Sequence, residues 1–248
     1  MDENGTRPAL YGVGVGPGDP ELITIKAVRV LESVQVVCYP EGKGSAQGHA
    51  YGIARRYLGG GVESIPLSFP MSRDKDTLRK AWDAASDTVV ARLAAGKDVA
   101  FLTEGDPLFY STFIYLADGV GKRLPSARIE TVPGVTSLSG CAAAARIPLA
   151  RAGERVAVID APHALDELDD LLGRFDALAL MKCAAYLDRI VPALERNGLL
   201  DNAVLVELGT RRDQQVLRGR ELLLAGKPHY LSTLLVFRRD GRQEGSEE

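Results

Sequence analysis

The chain of 248 residues is poor in the residue types that most chemistries require. It has three cysteines, Cys38, Cys141 and Cys183, widely spaced and without a C-x-x-C, which fits neither a disulfide framework nor a zinc site. Three histidines, His49, His163 and His229, are scattered, and no pair has metal-ligand spacing. There is no G-x-S-x-G elbow and no P-loop lysine motif, so a serine hydrolase or a P-loop kinase has no support. Apolar runs such as Ala177 to Met181 and Leu231 to Phe237 fall far short of the ~20 residues of a membrane span. The opening M-D-E-N-G-T-R lacks an export pattern, and a net charge of −3 gives no general pull toward nucleic acid or anionic membrane. A cytoplasmic protein that binds neither is the expectation.

What is present is a soluble composition, 46% apolar and 25% charged, enough for a real core in one large or two modest domains. Short β-branched runs alternate with amphipathic stretches. Strands are expected at Leu10–Val15, Gln35–Tyr39, Val62–Leu67, Asp98–Leu102 and Arg128–Val132, with helices over 21–32, 50–58, 76–95, 111–118 and an alanine-rich stretch to Arg146. The polar segment 147–155 separates a second half with strands at Val156–Ile159, Ala177–Met181, Ala203–Glu207 and Leu231–Phe237, and helices over 164–172 and 185–196. This grammar predicts two α/β domains, 1–150 and 151–248, with mostly parallel or mixed sheets. The tail Arg238–Glu248 is charged and reads as frayed.

The densest signal is Tyr11–Pro20, Y-G-V-G-V-G-P-G-D-P, a glycine-rich loop at the end of a strand. Glycine lets a ligand approach bare backbone. The spacing fails the dinucleotide fingerprint, because Pro17 or Asp19 stands where the third glycine belongs. Loops at the carboxyl ends of parallel strands are where ligands bind in such sheets. Gly14–Pro20, Glu104–Pro107 and Pro133–Ser137 all fall there in the first half, and Met181–Lys182 and Glu207–Thr210 in the second. Asp106 reads equally as a general base or as a cap closing its loop. Asp19 with Asp106 has the look of a magnesium pair, yet Asp19, ahead of Pro20, reads equally as serving its own turn.

Taken in order, G-V-G-P-G-D-P-E-L-I-T-I-K-A, Y-P-E-G-K-G-S, E-G-D-P-L-F-Y and V-P-G-V-T-S-L resemble the tetrapyrrole methylases over about residues 9 to 237. The K-G-S segment at Lys43–Ser45, E-G-D-P in place of G-G-D-P, and G-L-L-D-N-A-V-L-V-E at 198–207 resemble the branch that methylates the C20 meso carbon. The resemblance implies a homodimeric α/β enzyme with S-adenosylmethionine in the cleft between its domains and a carboxylate-rich tetrapyrrole as small-molecule substrate, with or without cobalt. It implies cofactor contacts at Gly105, Asp106, Phe109, Thr136, Ser137, Met181, Leu208 and Thr233, and no protein-bound metal. Gly16, Pro17, Gly18, Asp19, Lys43 and Ser45 would border the substrate. Asp106, Asp19 and Tyr110, with Glu104 beside them, are the catalytic candidates, as acceptors of the proton that leaves the methylated carbon. A sister enzyme acting at another carbon, a tetrapyrrole or nucleoside sensor on the same fold, and a nicotinamide oxidoreductase are the alternatives.

Overall fold

The computed structural model describes residues 7–41, 48–70, 72, 74–224 and 226–238. The chain divides into two units, Met1–Thr136 and Ser137–Glu248.

The first unit alternates strands and helices: β1 (Ala9–Gly14), α1 (Ile25–Ser33), β2 (Val36–Pro40), α2 (His49–Ala54), β3 (Glu63–Leu67), α3 (Lys75–Ala94), β4 (Val99–Thr103), α4 (Phe113–Arg123) and β5 (Arg128–Val132). The strands form one sheet in the order β3-β2-β4-β1-β5, with every neighbour parallel. All five residues of β4 are buried, as a central strand covered on both faces must be. Its side chains alternate. Ala100 and Leu102 join Val13, Leu31 and Ile53 on the α1–α2 face, while Val99 and Phe101 join Leu10, Val89 and Leu116 on the α3–α4 face. Fully buried side chains of the size of Phe101 and Leu102 stabilise by roughly 1.5–3 kcal/mol each.

The helix expected over 21–32 is broken, and those expected over 50–58 and 164–172 are interrupted too, by 3-10 turns at Arg55–Tyr57 and Leu165–Glu167. Asp19 caps a 3-10 turn at Pro20–Leu22 by accepting the Glu21 amide (2.9 Å), and Thr24 then caps α1 by accepting the Ala27 amide (3.2 Å). Two caps five residues apart outcompete the helical periodicity between them.

The second unit begins with α5 (Ser137–Ala145), followed by β6 (Val156–Asp160), α6 (Ala161–Ala164), α7 (Leu168–Arg174), β7 (Ala177–Met181), α8 (Leu187–Arg196), β8 (Ala203–Glu207), β9 (Gln215–Arg218) and β10 (Ser232–Phe237). Its sheet runs β6-β7-β10-β8-β9 and is mixed. β6 and β7 are parallel, whereas β10 is antiparallel to both β7 and β8, and β9 is antiparallel to β8. Leu178, Leu180, Leu205 and Leu234 pack with Leu172, Ile190 and Leu194 on one face. On the other, Ala142 meets Ala179, Leu235 and Phe237, and Cys141 and Ala145 meet Val204 and Val206. The small side chains of α5 let that helix lie close to the sheet.

Candidate functional site

In the first unit β4, β1 and β5 are neighbours, so the loops leaving their carboxyl ends come together. They touch through bare backbone. The Gly105 amide donates to Gly16 O (2.9 Å), and the Val15 amide to Thr103 O (3.0 Å). A Cβ on Gly14 would lie 2.5 Å from Gly105 O and 2.7 Å from Gly134 N, and one on Gly134 would lie 2.1 Å from Gly105 O. The space that glycine opens at Gly14 is therefore filled by the neighbouring loops. Gly16 has φ 84 and Gly105 φ 68, left-handed values that favour glycine at both ends of their bridge.

Asp106 ties the assembly. Its Oδ1 accepts the Leu108 amide (2.8 Å) within its own loop, and its Oδ2 accepts the Gly134 amide (3.1 Å) from the loop after β5. At the base of the same loop the buried hydroxyls of Thr103 and Ser111 lie 3.0 Å apart, and Ser111 Oγ accepts the Phe113 amide that opens α4. Phe109 is half-buried with its ring edge-on to Tyr110, centroids 5.0 Å apart. Tyr110 is exposed and left-handed, at φ 52. Pro17, Gly18 and Asp19 are half-buried on the loop after β1, and Thr136 follows Gly134 on the loop after β5. The structure thus gathers Gly16–Asp19, Gly105–Tyr110 and Gly134–Thr136 at one edge. Lys43 and Ser45 lie outside the described residues.

In the second unit the carboxyl ends of β7 and β8 and the amino end of β10 share an edge. Met181 stands in register with Asp160 of β6 and Thr233 of β10. The Leu208 amide donates to Leu231 O (2.9 Å). Lys182, Leu208 and Thr210 have φ of 54, 51 and 71, a concentration of left-handed non-glycine residues at two strand ends. Such outliers cost about 1–3 kcal/mol each and gather at ligand sites. Thr233 is buried, with its side chain hydrogen-bonded to the Cys141 thiol. Burial pushes the Cys183 thiol up to about 12, so it is an inert core thiol. Ser137 is half-buried at the first residue of α5.

Of the acids at this second edge, Asp160 is absent from the residues that the sequence singles out, and Glu207 enters there only as the start of the loop Glu207–Thr210. Asp160 Oδ2 accepts from Lys182 Nζ (3.2 Å), and Glu207 Oε2 accepts the His229 amide (2.7 Å). The signal for both is present in V-A-V-I-D and V-L-V-E, where an acid closes an apolar strand.

The sequence profile of the Tetrapyrrole (Corrin/Porphyrin) Methylases matches residues 9–222. The chain belongs to this family. Among curated relatives of this tetrapyrrole methylase, Precorrin-2 C(20)-methyltransferase of Sinorhizobium sp is 37% identical over 235 residues, covering 92% of this chain and 94% of the relative. Cobalt-precorrin-2 C(20)-methyltransferase of Salmonella typhimurium is 36% identical over 228 residues, covering 92% and 95%. The fold is shared with solved structures at lower identity. The cobalamin biosynthetic enzyme cobalt precorrin-4 methyltransferase matches with TM-score 0.70 at 22% identity, over 92% of this chain and 94% of that one. Uroporphyrin-III C-methyl transferase from Thermus thermophilus, complexed with S-adenosyl homocysteine, matches with TM-score 0.66 at 21% identity, over 92% of each chain.

Each edge, taken by itself, carries groups that suit part of a nucleoside bearing a positive sulfonium. Phe109, on the loop after β4, and Met181, at the end of β7, are half-buried apolar surfaces, and the carboxyl groups of Asp19, Glu104 and Asp106 lie on the loops of the first edge. Among the described residues no three His, Cys, Asp or Glu side chains gather as a metal site, and no helix is long and apolar enough to cross a membrane.

Proposed function

We propose that this tetrapyrrole methylase transfers a methyl group from S-adenosylmethionine to the C20 meso carbon of precorrin-2, as a cytoplasmic homodimer. The observation that carries the proposal is the 37% identity, spread over 92% of the chain, with the Sinorhizobium sp C20-methyltransferase. A second reading, methylation of the same carbon in the cobalt-bearing macrocycle, is favoured by the almost equal identity to the Salmonella typhimurium relative.

S-adenosylmethionine supplies an electrophilic methyl group on a sulfonium. The candidates for holding it are Gly105, Asp106, Phe109 and Thr136 in the first unit, and Ser137, Met181, Leu208 and Thr233 in the second. Asp106 spends both carboxylate oxygens on loop amides, so its part is to hold the loops after β4 and β5 at fixed spacing. Held geometry is what such a transfer needs most, since near-attack positioning supplies ~7–11 kcal/mol of a barrier. Gly16 to Asp19 border the macrocycle. Asp19, Glu104 and Tyr110 are the remaining candidates to accept the proton that leaves the methylated carbon.

The test is calorimetric titration with S-adenosylmethionine, followed by incubation with precorrin-2, with and without cobalt inserted, and measurement of product mass. A gain of one methyl on either macrocycle supports the proposal and selects the form. Binding without transfer to either form points to a sister substrate or a sensor, and no binding defeats the proposal.

A further inference from the structure

The carboxyl ends of β6 and β7 carry a charged pair that has no part in the methyl transfer as described. Asp160 closes β6 in register with Met181, and its side chain is only 15% exposed. Lys182 follows β7 directly, is 37% exposed, and places Nζ 3.2 Å from Asp160 Oδ2. The backbone at Lys182 is left-handed, φ 54, a conformation a lysine holds only where its surroundings impose it. Leu208 and Thr210, at the end of β8, are left-handed too, so strained backbone recurs along this edge of the sheet.

Ordinary surface pairs join two mobile side chains and hold neither. Here one partner is fixed by burial. Asp160 Oδ1 is buried and accepts no hydrogen bond among the described residues, while Oδ2 faces Lys182 Nζ and, at 3.8 Å, His163 Nδ1. The result is an ammonium pinned at a strand end beside Met181. An ammonium has three hydrogens and can serve an acceptor on the protein and one on a ligand together.

We infer that Lys182 binds a carboxylate of the ligand and that Asp160 is the positioning residue that holds it there. The inference rests on the proposed methyl transfer, whose two ligands both carry that group: the methionyl end of the donor and the acidic side chains of the macrocycle. Lysine is suited to either, because a compact point charge demands less geometric match than a guanidinium.

Lys182→Gln, Lys182→Arg, Asp160→Asn and the Asp160→Asn/Lys182→Gln double variant are compared with the wild type. The readouts are the dissociation constant for S-adenosylmethionine, KM and kcat with precorrin-2, and Tm. Lys182→Gln is expected to raise one of the two binding constants about tenfold, the worth of one charge-assisted hydrogen bond, with kcat nearly unchanged. A rise in the donor's constant assigns the methionyl carboxylate, and a rise in KM assigns the macrocycle. Lys182→Arg recovers most of the loss. Asp160→Asn weakens the same constant less, and the double variant is no worse than Lys182→Gln alone, as coupled residues require. Both constants within twofold of wild type in Lys182→Gln overturn the inference while leaving the methyl transfer standing. An Asp160→Asn loss that adds fully to that of Lys182→Gln overturns the positioning role. A wild type that neither binds the donor nor methylates overturns both readings.

Discussion

The Gly134 amide donates to Asp106 Oδ2 across 3.1 Å, and this one bond joins the loop after β5 to the loop after β4. The same carboxylate closes its own loop through the Leu108 amide. Asp106→Ala removes both acceptors. A hydrogen bond to a charged group contributes about 1.5–3 kcal/mol when buried, and these are only part-buried or exposed, so a stability loss of about 1–2 kcal/mol is expected. Affinity for S-adenosylmethionine should fall at least tenfold in calorimetry if Gly105 and Phe109 hold the donor as proposed, because their loop loses its anchor. Wild-type affinity in a variant whose Tm has dropped would show that the loop spacing does not matter for the donor.

The glycine contacts make a sharper prediction about stability. Gly134→Ala and Gly14→Ala each push a methyl against backbone of a neighbouring loop, at 2.1 and 2.5 Å from Gly105 O. Backbone cannot swing aside as a side chain does. A destabilisation of about 1–3 kcal/mol or more is expected for each, read by denaturant unfolding. Gly52 is the control: it lies inside α2, where an added Cβ would meet nothing within 4 Å, and Gly52→Ala should stabilise by about 0.5–1 kcal/mol. Equal midpoints for Gly14→Ala and Gly52→Ala would contradict the close packing of the loops.

These contacts also mark where the sequence stops being legible. The strands of the first unit follow from β-branched runs, and Arg128–Val132 and Ala177–Met181 fall where periodicity puts them. Burial of strands on both faces leaves a local apolar signature that composition cannot hide. The edge strand β9, Q-V-L-R, has no such signature: four residues with exposed ends carry too little pattern to separate from loop. Nor can sequence tell whether Gly14 spares room for a ligand or for another loop, since both demand the same missing Cβ. Asp106 and Asp19 are ambiguous in sequence for a related reason. An acid after a strand is equally a cap or a reactive group until its hydrogen-bond partners are known, and both accept backbone amides. Asp160 and Lys182 are 22 positions apart, and only the parallel register of β6 and β7 makes them a pair.

Glu63 at the edge strand β3 gives a pH prediction. Bonds from Arg92 (2.8 Å) and then Lys97 (3.0 Å) hold its carboxyl below the ordinary value of 4.5. A carboxyl with a depressed folded-state pKa contributes stability that is fully present above the unfolded value and is lost as pH falls through the folded one. Wild-type Tm should therefore drop below about pH 4.5 more steeply than that of Glu63→Gln, while near neutral pH the wild type is the more stable. Parallel Tm curves for the two proteins through the acid range would remove Glu63 from the acid response.

The three thiols report the integrity of both units. Cys38 packs among β-strand side chains of the first, and Cys141 and Cys183 lie in the second, all of them buried. Burial pushes Cys38 and Cys183 up to about 12, so at pH 8 neither offers appreciable thiolate, and neither is reachable by solvent in the folded state. Reaction with a thiol reagent under native conditions should proceed at the rate of opening of the unit that holds each residue, and far faster in denaturant. Site-resolved mass spectrometry distinguishes the units: saturating S-adenosylmethionine should slow labelling wherever the donor binds, through its stabilisation of the folded form. Slowing at Cys38 together with Cys141 and Cys183 is expected if residues of both units contact the donor. Protection of one set alone would confine the donor to that unit, and rapid labelling of Cys183 in the native protein would contradict its place in the core.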